Sequence, residues 1–364
     1  MSINSSLEYI GANHFGNLVP AVTKLLINGE SVVIYGMPGY GRKHFLRLME
    51  RVLIQNEMVK TVFIECLANA ANINKVLSRE INNLTGSNES ELDYLRLERF
   101  LKTQKLIVIL GHIEEVENKQ ELFSTLLKIR ELGIDKFALL SSADQTIKTQ
   151  KDEYMELGEI MFANVIRMPL FNMEGTKRIL EINRDYFGYG VPDTVVSKIF
   201  SLTGGNPALI KHLGKYISEM GDLELNNLDL MLKFTSLEIK LKSLVKVLIS
   251  EDKWVLEDIG MIGTSGELFS PILKEYLKRY ELENQRLFLP QLSPREARIL
   301  LFLLTNRDRL TTIDKIGFLM NLTEDNFSMW AVYKAISRLK NRVKDRYEIK
   351  VVKNRGYLIS EMLR

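Results

Sequence analysis

Ser31-Val-Val-Ile-Tyr-Gly36-Met-Pro-Gly39-Tyr-Gly41-Arg42-Lys43-His44 sets a short apolar run, a glycine-rich turn and a helix start in immediate succession. The apolar residues that follow, Phe45, Leu46, Leu48, Met49, Val52 and Leu53, recur at helical spacing. A glycine turn between a strand and a helix exposes backbone N–H groups beside a helix N-terminus, an arrangement that can cradle phosphates. Four more apolar runs of strand length lie downstream: Thr61–Glu65, Leu106–Leu110, Phe137–Ser141 and Asn164–Met168. Each is separated from the next by enough chain for a helix. Short, continuously apolar strands alternating with helices predict a buried parallel sheet with helices on both faces, the α/β class.

Beyond Pro169 the pattern turns helical, with expected helices at Glu174–Asn183, Val191–Thr203 and Pro207–Met220, interrupted at Gly188, Gly190 and Gly204-Gly205. A further helix is expected at Leu237–Ile249, then a tight turn at Gly263-Thr-Ser-Gly266 and a helix starting at Pro271 under a Ser270 cap. The charged stretch Lys278–Arg286 reads as a leader to Pro290 and a last domain. The expected organisation is an α/β domain over 1–168, a helical lid over 169–233, a small helical, winged-helix-like unit over 234–288, and a C-terminal domain over 289–364.

The spacing Gly36-x4-Gly41, with Leu202-Thr-Gly-Gly-Asn-Pro-Ala-Leu-Ile210 further on, resembles the P-loop ATPases of the AAA+ and STAND group over residues 15–280. The resemblance implies a nucleotide site at Gly36, Gly39, Gly41, Arg42, Lys43 and Pro207. Its departures are as informative. With the glycines aligned, Arg42 stands at the phosphate-binding lysine and Lys43 at the hydroxyl that ligates Mg²⁺. An ammonium has no lone pair and cannot ligate a metal. A one-residue shift would make Lys43 the motif lysine, but would leave His44 in place of the hydroxyl. The two acidic residues that end the family's corresponding strand read Gly111 and His112 here, and Glu114 and Glu115 are expected to face solvent. A site without hydroxyl or carboxylate for Mg²⁺ is expected not to hydrolyse ATP. No catalytic residue and no metal ligand is assigned, although His112 as a substitute base is an alternative. ATP or ADP could still bind without a conventional Mg²⁺ site, with Lys43 as a fixed charge beside the phosphates; the loop could equally be a relic.

At the other end, Leu292-Ser-Pro-Arg-Glu296 carries a capping box, with Ser293 as N-cap, Pro294 at N1 and Glu296 at N3. Thr311-x-x-Asp314 opens a shorter helix through Met320. A third helix, Ser328–Val343, places Val332, Ala335, Ile336, Leu339 and Val343 on one stripe. Strands at Tyr347–Val352 and Tyr357–Ile359 flank Lys353-Asn354-Arg355-Gly356, where Asn354 and Gly356 can take positive φ. This order, carried by Leu292-Ser-Pro-Arg-Glu-Ala297, Ile336-Ser-Arg-Leu-Lys-Asn-Arg-Val343 and Ile349-Lys-Val-Val-Lys-Asn-Arg-Gly-Tyr357, resembles the OmpR-type winged helix-turn-helix of response regulators. The resemblance implies that the third helix enters the major groove of double-stranded DNA and the wing reaches the minor groove. Arg338, Lys340 and Arg342 suit phosphates, whereas Tyr333, Lys334, Ser337 and Asn341 suit base edges. Lys353 and Arg355 suit the wing. Trp330 either packs in the core or stacks on DNA.

Charge agrees with that reading. Residues 291–364 hold 15 Lys/Arg against 8 Asp/Glu, whereas residues 1–290 hold 34 against 38. No apolar run reaches the roughly 18 residues of a membrane span. The N-terminus shows no secretory pattern, and the one cysteine, Cys66, excludes an internal disulfide. A cytoplasmic DNA-binding transcription regulator is expected, with a pseudo-ATPase domain that senses or assembles and a homo-oligomeric or regulatory protein partner. The alternatives are an active ATPase of the replication-initiator or defence type using its winged helix architecturally, and a protein-interaction adaptor without DNA contact. His14 and His212 show no ligand spacing.

Overall fold

The computed structural model describes Phe15 and residues 18–69, 71–149, 164–221, 228–251, 253–288, 292–306, 309–320, 322, 327–344, 347–353 and 355–361. His14 and Asn354 lie outside these. The chain divides into two compact units, residues 1–240 and 241–364.

The first unit opens with α1 (Leu18–Ile27), β1 (Val32–Tyr35) and α2 (Arg42–Leu53). It continues with β2 (Val59–Glu65), α3 (Ile73–Thr85), α4 (Tyr94–Leu101), β3 (Lys105–Gly111), α5 (Lys119–Leu132), β4 (Phe137–Ala143), the single turn α6 (Thr146–Thr149) and β5 (Val165–Arg167). All five strands are parallel, in the order β2-β3-β4-β1-β5. Leu106 to Leu110 and Val32 to Ile34 are fully buried, which explains why these runs are apolar without alternation. The edge strand β2 instead mixes buried positions (Val59, Val62, Ile64) with half-buried ones. Ser31 is buried and its hydroxyl accepts from the Leu139 N–H at 2.9 Å, which joins the start of β1 to β4.

The chain leaves β1 towards the β2 edge and leaves β4 towards the β5 edge. The neighbouring pair β1 and β4 is therefore a topological switch point, and the crevice beyond its C-terminal ends is where an open parallel sheet takes ligands. The glycine turn 36–41 sits there.

Three helices follow in the same unit: α7 (Met173–Phe187), α8 (Val196–Thr203) and α9 (Pro207–Met220). The middle helix starts five residues later than its apolar pattern suggested. Pro192 precedes a 3₁₀ turn at Asp193–Val195 instead of the first α turn. Helices α10 (Leu228–Lys233) and α11 (Thr235–Ser250) come next.

The second unit holds α12 (Lys253–Asp258) and α13 (Pro271–Phe288), with a turn between them. Gly266 N–H donates to Gly263 C=O at 2.8 Å, beneath an antiparallel bridge from Ile262 to Leu268. The charged stretch 278–286 is not a leader. No breaker intervenes before Pro290, so α13 runs on to Phe288.

The C-terminal helices are α14 (Pro294–Thr305), α15 (Ile313–Leu319) and α16 (Met329–Val343), followed by the antiparallel hairpin β6 (Tyr347–Val352) and β7 (Gly356–Glu361). The Ser293–Glu296 capping box forms as read. The second cap is Thr312, not Thr311: its hydroxyl accepts from the Lys315 N–H at 3.3 Å. Thr311 is held against the hairpin because its N–H and C=O pair with Tyr357 at 2.9 and 2.8 Å, a single antiparallel bridge to β7. Gly356 has φ 148.

Candidate functional site

The glycine turn takes its shape from two left-handed residues, Gly39 (φ 88) and Gly41 (φ 81). Gly36 has another reason to be glycine: a Cβ there would lie 2.2 Å from the ring of Tyr40, which folds back beneath the turn and is buried. Burial pushes the Tyr40 phenol well above its ordinary value, so it stays neutral. Gly39 meets α9. The Ala208 N–H donates to the Gly39 carbonyl at 3.2 Å, and Asn206 Nδ2 donates to the Pro38 carbonyl at 3.2 Å. Asn206 is also the N-cap of α9, accepting from the N–H groups of Ala208 and Leu209, with Pro207 at N1. Pro207 itself is half-buried at this contact.

Helix α2 begins at Gly41 with no side-chain cap and no acidic residue in its first turn, so its first N–H groups present a positive helix end. The cationic side chains here face carboxylates. Arg42 Nη1 lies 3.1 Å from Glu114 Oε1, with each side chain only 11% exposed. This corrects the solvent-facing reading of Glu114. A 3₁₀ turn at Ile113–Glu115 bends the chain back after β3, returning Glu114 to the crevice and leaving Glu115 outside. Burial lifts the Glu114 carboxyl above the usual carboxylate range; Arg42 opposes the rise and Asp144 adds to it.

Lys43 Nζ lies 3.6 Å from Glu65 Oε2, and Glu65 Oε1 lies 2.6 Å from His112 Nδ1, the distance of an N–H donating to a carboxylate. Glu65 pairs in register with Gly111 on the neighbouring strand. A Cβ at residue 111 would lie 2.7 Å from Glu65 Oε1. The carboxylate missing from the end of β3 is thus replaced, in space, by one from the end of β2. His112 is the one non-glycine residue with positive φ (57) among the described residues, and its N–H donates to Ser142 Oγ at 3.0 Å. Such a backbone costs about 1–3 kcal/mol and persists only where its surroundings hold it.

Glu65 and Ser142 escaped the sequence reading, and Asn206 stood in the quoted 202–210 motif without a role. The signal for Glu65 was its place at a strand end level with Gly111. Cys66 is buried, and burial, with Glu65 and Glu114 nearby, pushes its thiol up to about 12, so it is no nucleophile.

Magnesium does not fit this crevice. Lys43 has no lone pair, Gly111 carries no carboxylate and a side chain there would have to displace that of Glu65, and no cluster of three or more His, Cys, Asp or Glu side chains that could hold a metal occurs among the described residues.

On α9, His212 Nδ1 is buried without a hydrogen-bond partner. Burial, then Lys240, Lys211 and Lys215, push the imidazole down to about 4 from 6.5. Between these two values the unfolded chain binds the proton and the folded chain does not. Stability is therefore flat above pH 6.5 and falls as pH drops from 6.5 towards 4. Melting temperatures measured across that window should decline in the wild type, with a shallower decline in His212→Gln; equal slopes would assign the decline to other groups.

The second candidate surface is α16. Val332, Ile336, Leu339 and Val343 are buried, and Tyr333, Lys334, Ser337, Arg338, Lys340 and Asn341 are exposed. Trp330 is 68% exposed, which excludes the core reading, and Lys334 Nζ sits 4.5 Å over its ring. Arg342 Nη1 is paired with Glu296 Oε2 at 2.5 Å, so this guanidinium ties α16 to the capping box of α14. Lys353 and Arg355 are exposed on the hairpin, and the Arg355 N–H closes its turn on the Val352 carbonyl at 3.0 Å.

No family model and no curated protein matches the chain. Among solved structures, the Aeropyrum pernix Orc1 protein in complex with DNA is 14% identical, with 98% of this chain and 92% of that one covered and a TM-score of 0.42. The Walker-type ATPase paby2304 of Pyrococcus abyssi is 13% identical, covering 95% and 93%, with a TM-score of 0.45. AMPPCP-bound DnaA from Aquifex aeolicus is 14% identical, covering 94% and 93%, with a TM-score of 0.41. No helix among the described residues is long and apolar enough to cross a membrane.

Proposed function

We propose that this protein is a DNA-binding transcription regulator in which residues 289–364 act as an OmpR-type winged helix and residues 1–168 as an AAA+/STAND-like nucleotide-binding domain that does not turn over ATP. The observation that carries the reading is the division of α16 into a buried apolar stripe and an exposed face of Tyr333, Lys334, Ser337, Arg338, Lys340 and Asn341. A helix anchored by one side, with cations and amides on the other, is what the major groove of duplex DNA accepts. Lys340 and Arg338 meet phosphates, Asn341 and Ser337 meet base edges, and Lys353 and Arg355 extend along the backbone or into the minor groove. Arg342 contributes by holding Glu296. ATP or ADP, a metabolite or a protein partner biases how the module is presented.

Binding of the full chain to a random duplex pool, followed by selection and sequencing, tests the reading. Arg338→Ala is expected to weaken all sequences about tenfold and to lower the salt slope by about one. Asn341→Ala is expected to relax preference at a single position, at about 1–3 kcal/mol. Absence of any retained duplex overturns the proposal in favour of a protein-interaction adaptor.

The Glu65–His112 pair favours a second reading, nucleotide hydrolysis with the imidazole as base and its orientation fixed by the carboxylate. Phosphate release above background, abolished by both Arg42→Ala and His112→Ala, establishes it; none above background removes it.

A further inference from the structure

We propose that the Lys43–Glu65 ion pair takes the place of magnesium at the glycine turn, so that nucleotide phosphates bound there meet a tethered ammonium instead of a metal ion. This rests on the nucleotide-binding reading of the turn.

In a phosphate-binding loop the metal has two jobs. It neutralises phosphate charge beside the helix N-terminus, and it is itself held by a carboxylate from the sheet. Both jobs have side-chain occupants here. Lys43 stands on the first turn of α2, at the position from which a hydroxyl would reach the metal, and its side chain is 57% exposed and free to extend over the turn. Glu65 supplies the carboxylate. Its side chain is only 16% exposed, it fills the space beside Gly111, and its Oε2 has no hydrogen-bond partner while facing Lys43 Nζ at 3.6 Å.

The exchange is self-consistent. A lysine at residue 43 removes the hydroxyl ligand, and glycine at residue 111 removes the carboxylate ligand. Each replacement would harm a metal site alone, whereas together they build a cation with its own counterion. A divalent ion approaching Glu65 would have to displace both Lys43 and His112, which already flank its two carboxylate oxygens. Arg42, paired with the largely buried Glu114, adds a second fixed charge from the same turn. Nothing in this arrangement requires a metal to enter with the nucleotide.

The test is calorimetric titration of ATP into the full chain, once in excess EDTA and once in excess magnesium. Expected is binding in EDTA at least as tight as in magnesium, weakened about tenfold or more by Lys43→Gln and unchanged by Lys24→Gln, an exposed lysine of α1. Lys43 is exposed enough for the variant to fold, which its melting temperature will confirm; Lys43→Met gives a second neutral side chain. Strictly magnesium-dependent binding overturns the proposal and leaves the nucleotide reading standing. Binding in EDTA that both Lys43 variants retain overturns it as well. Absence of binding in either buffer overturns the nucleotide reading along with it.

Discussion

Gly111→Asp, the substitution that would put back the acid expected at the end of β3, should destabilise the first unit by about 3 kcal/mol and recruit no magnesium. The backbone of Gly111 would tolerate a side chain, since its φ is not positive. The obstacle is space and charge: the new Cβ would lie 2.7 Å from one Glu65 oxygen and 3.1 Å from the other, in a crevice where that carboxylate is already largely shielded. Two carboxylates cannot share the position ionised, and overpacking adds to the repulsion. Glu65→Ala alone should cost less, about 1–2 kcal/mol, through the lost partners of His112 and Lys43. The double variant should recover most of the loss, giving a coupling energy of at least about 1.5 kcal/mol in a urea-denaturation cycle. Simple additivity of the two losses would mean that Glu65 does not occupy the space of a residue-111 carboxylate.

Gly356→Ala should have an effect of similar size in the second unit. Here the backbone itself demands glycine, with φ 148. A Cβ would come within 2.0 Å of the Thr311 carbonyl oxygen and 2.8 Å of its carbon, atoms that cannot swing aside as a side chain can. The chain must therefore break the two hydrogen bonds between Thr311 and Tyr357. Strain and lost bonds together come to about 3 kcal/mol. Hydrogen exchange should show the Thr311 and Tyr357 amides losing protection first, and duplex binding should weaken with them because the hairpin carries Lys353 and Arg355. Unchanged protection at both amides would refute the contact.

The same two glycines show how far the sequence could be read. Positive φ at Gly356 was legible, because a residue between two alternating strands must turn the chain. The crowding at Gly111 was not, because it depends on which strand lies beside β3. The five strands announced themselves as apolar runs, and α9 covers the expected Pro207–Met220, where the structure adds Asn206 as its cap and Gly221 after its end. Glu114 was misread as solvent-facing because solvation is the usual fate of a carboxylate after a strand; a single 3₁₀ turn reversed it. Thr311 and Thr312 are equally good caps by chemistry, and only the pairing of Thr311 with a residue 46 positions downstream decided between them. Trp330 could be placed only once the helix was built, because an aromatic ring at the first turn of a helix can serve either its buried or its exposed face.

The bonds from α9 to the glycine turn reach across 168 residues of sequence. Such contacts form after the segments between them have been ordered, since loop-closure entropy opposes them until then. The sheet can assemble from neighbouring pairs, but the turn at Gly39 cannot take its final shape until α9 has arrived. During synthesis the sheet would leave the ribosome well before its glycine turn was complete. A chain ending before residue 206 should therefore keep its strands and lack that turn, which makes the glycine loop a checkpoint for completion of the whole first unit.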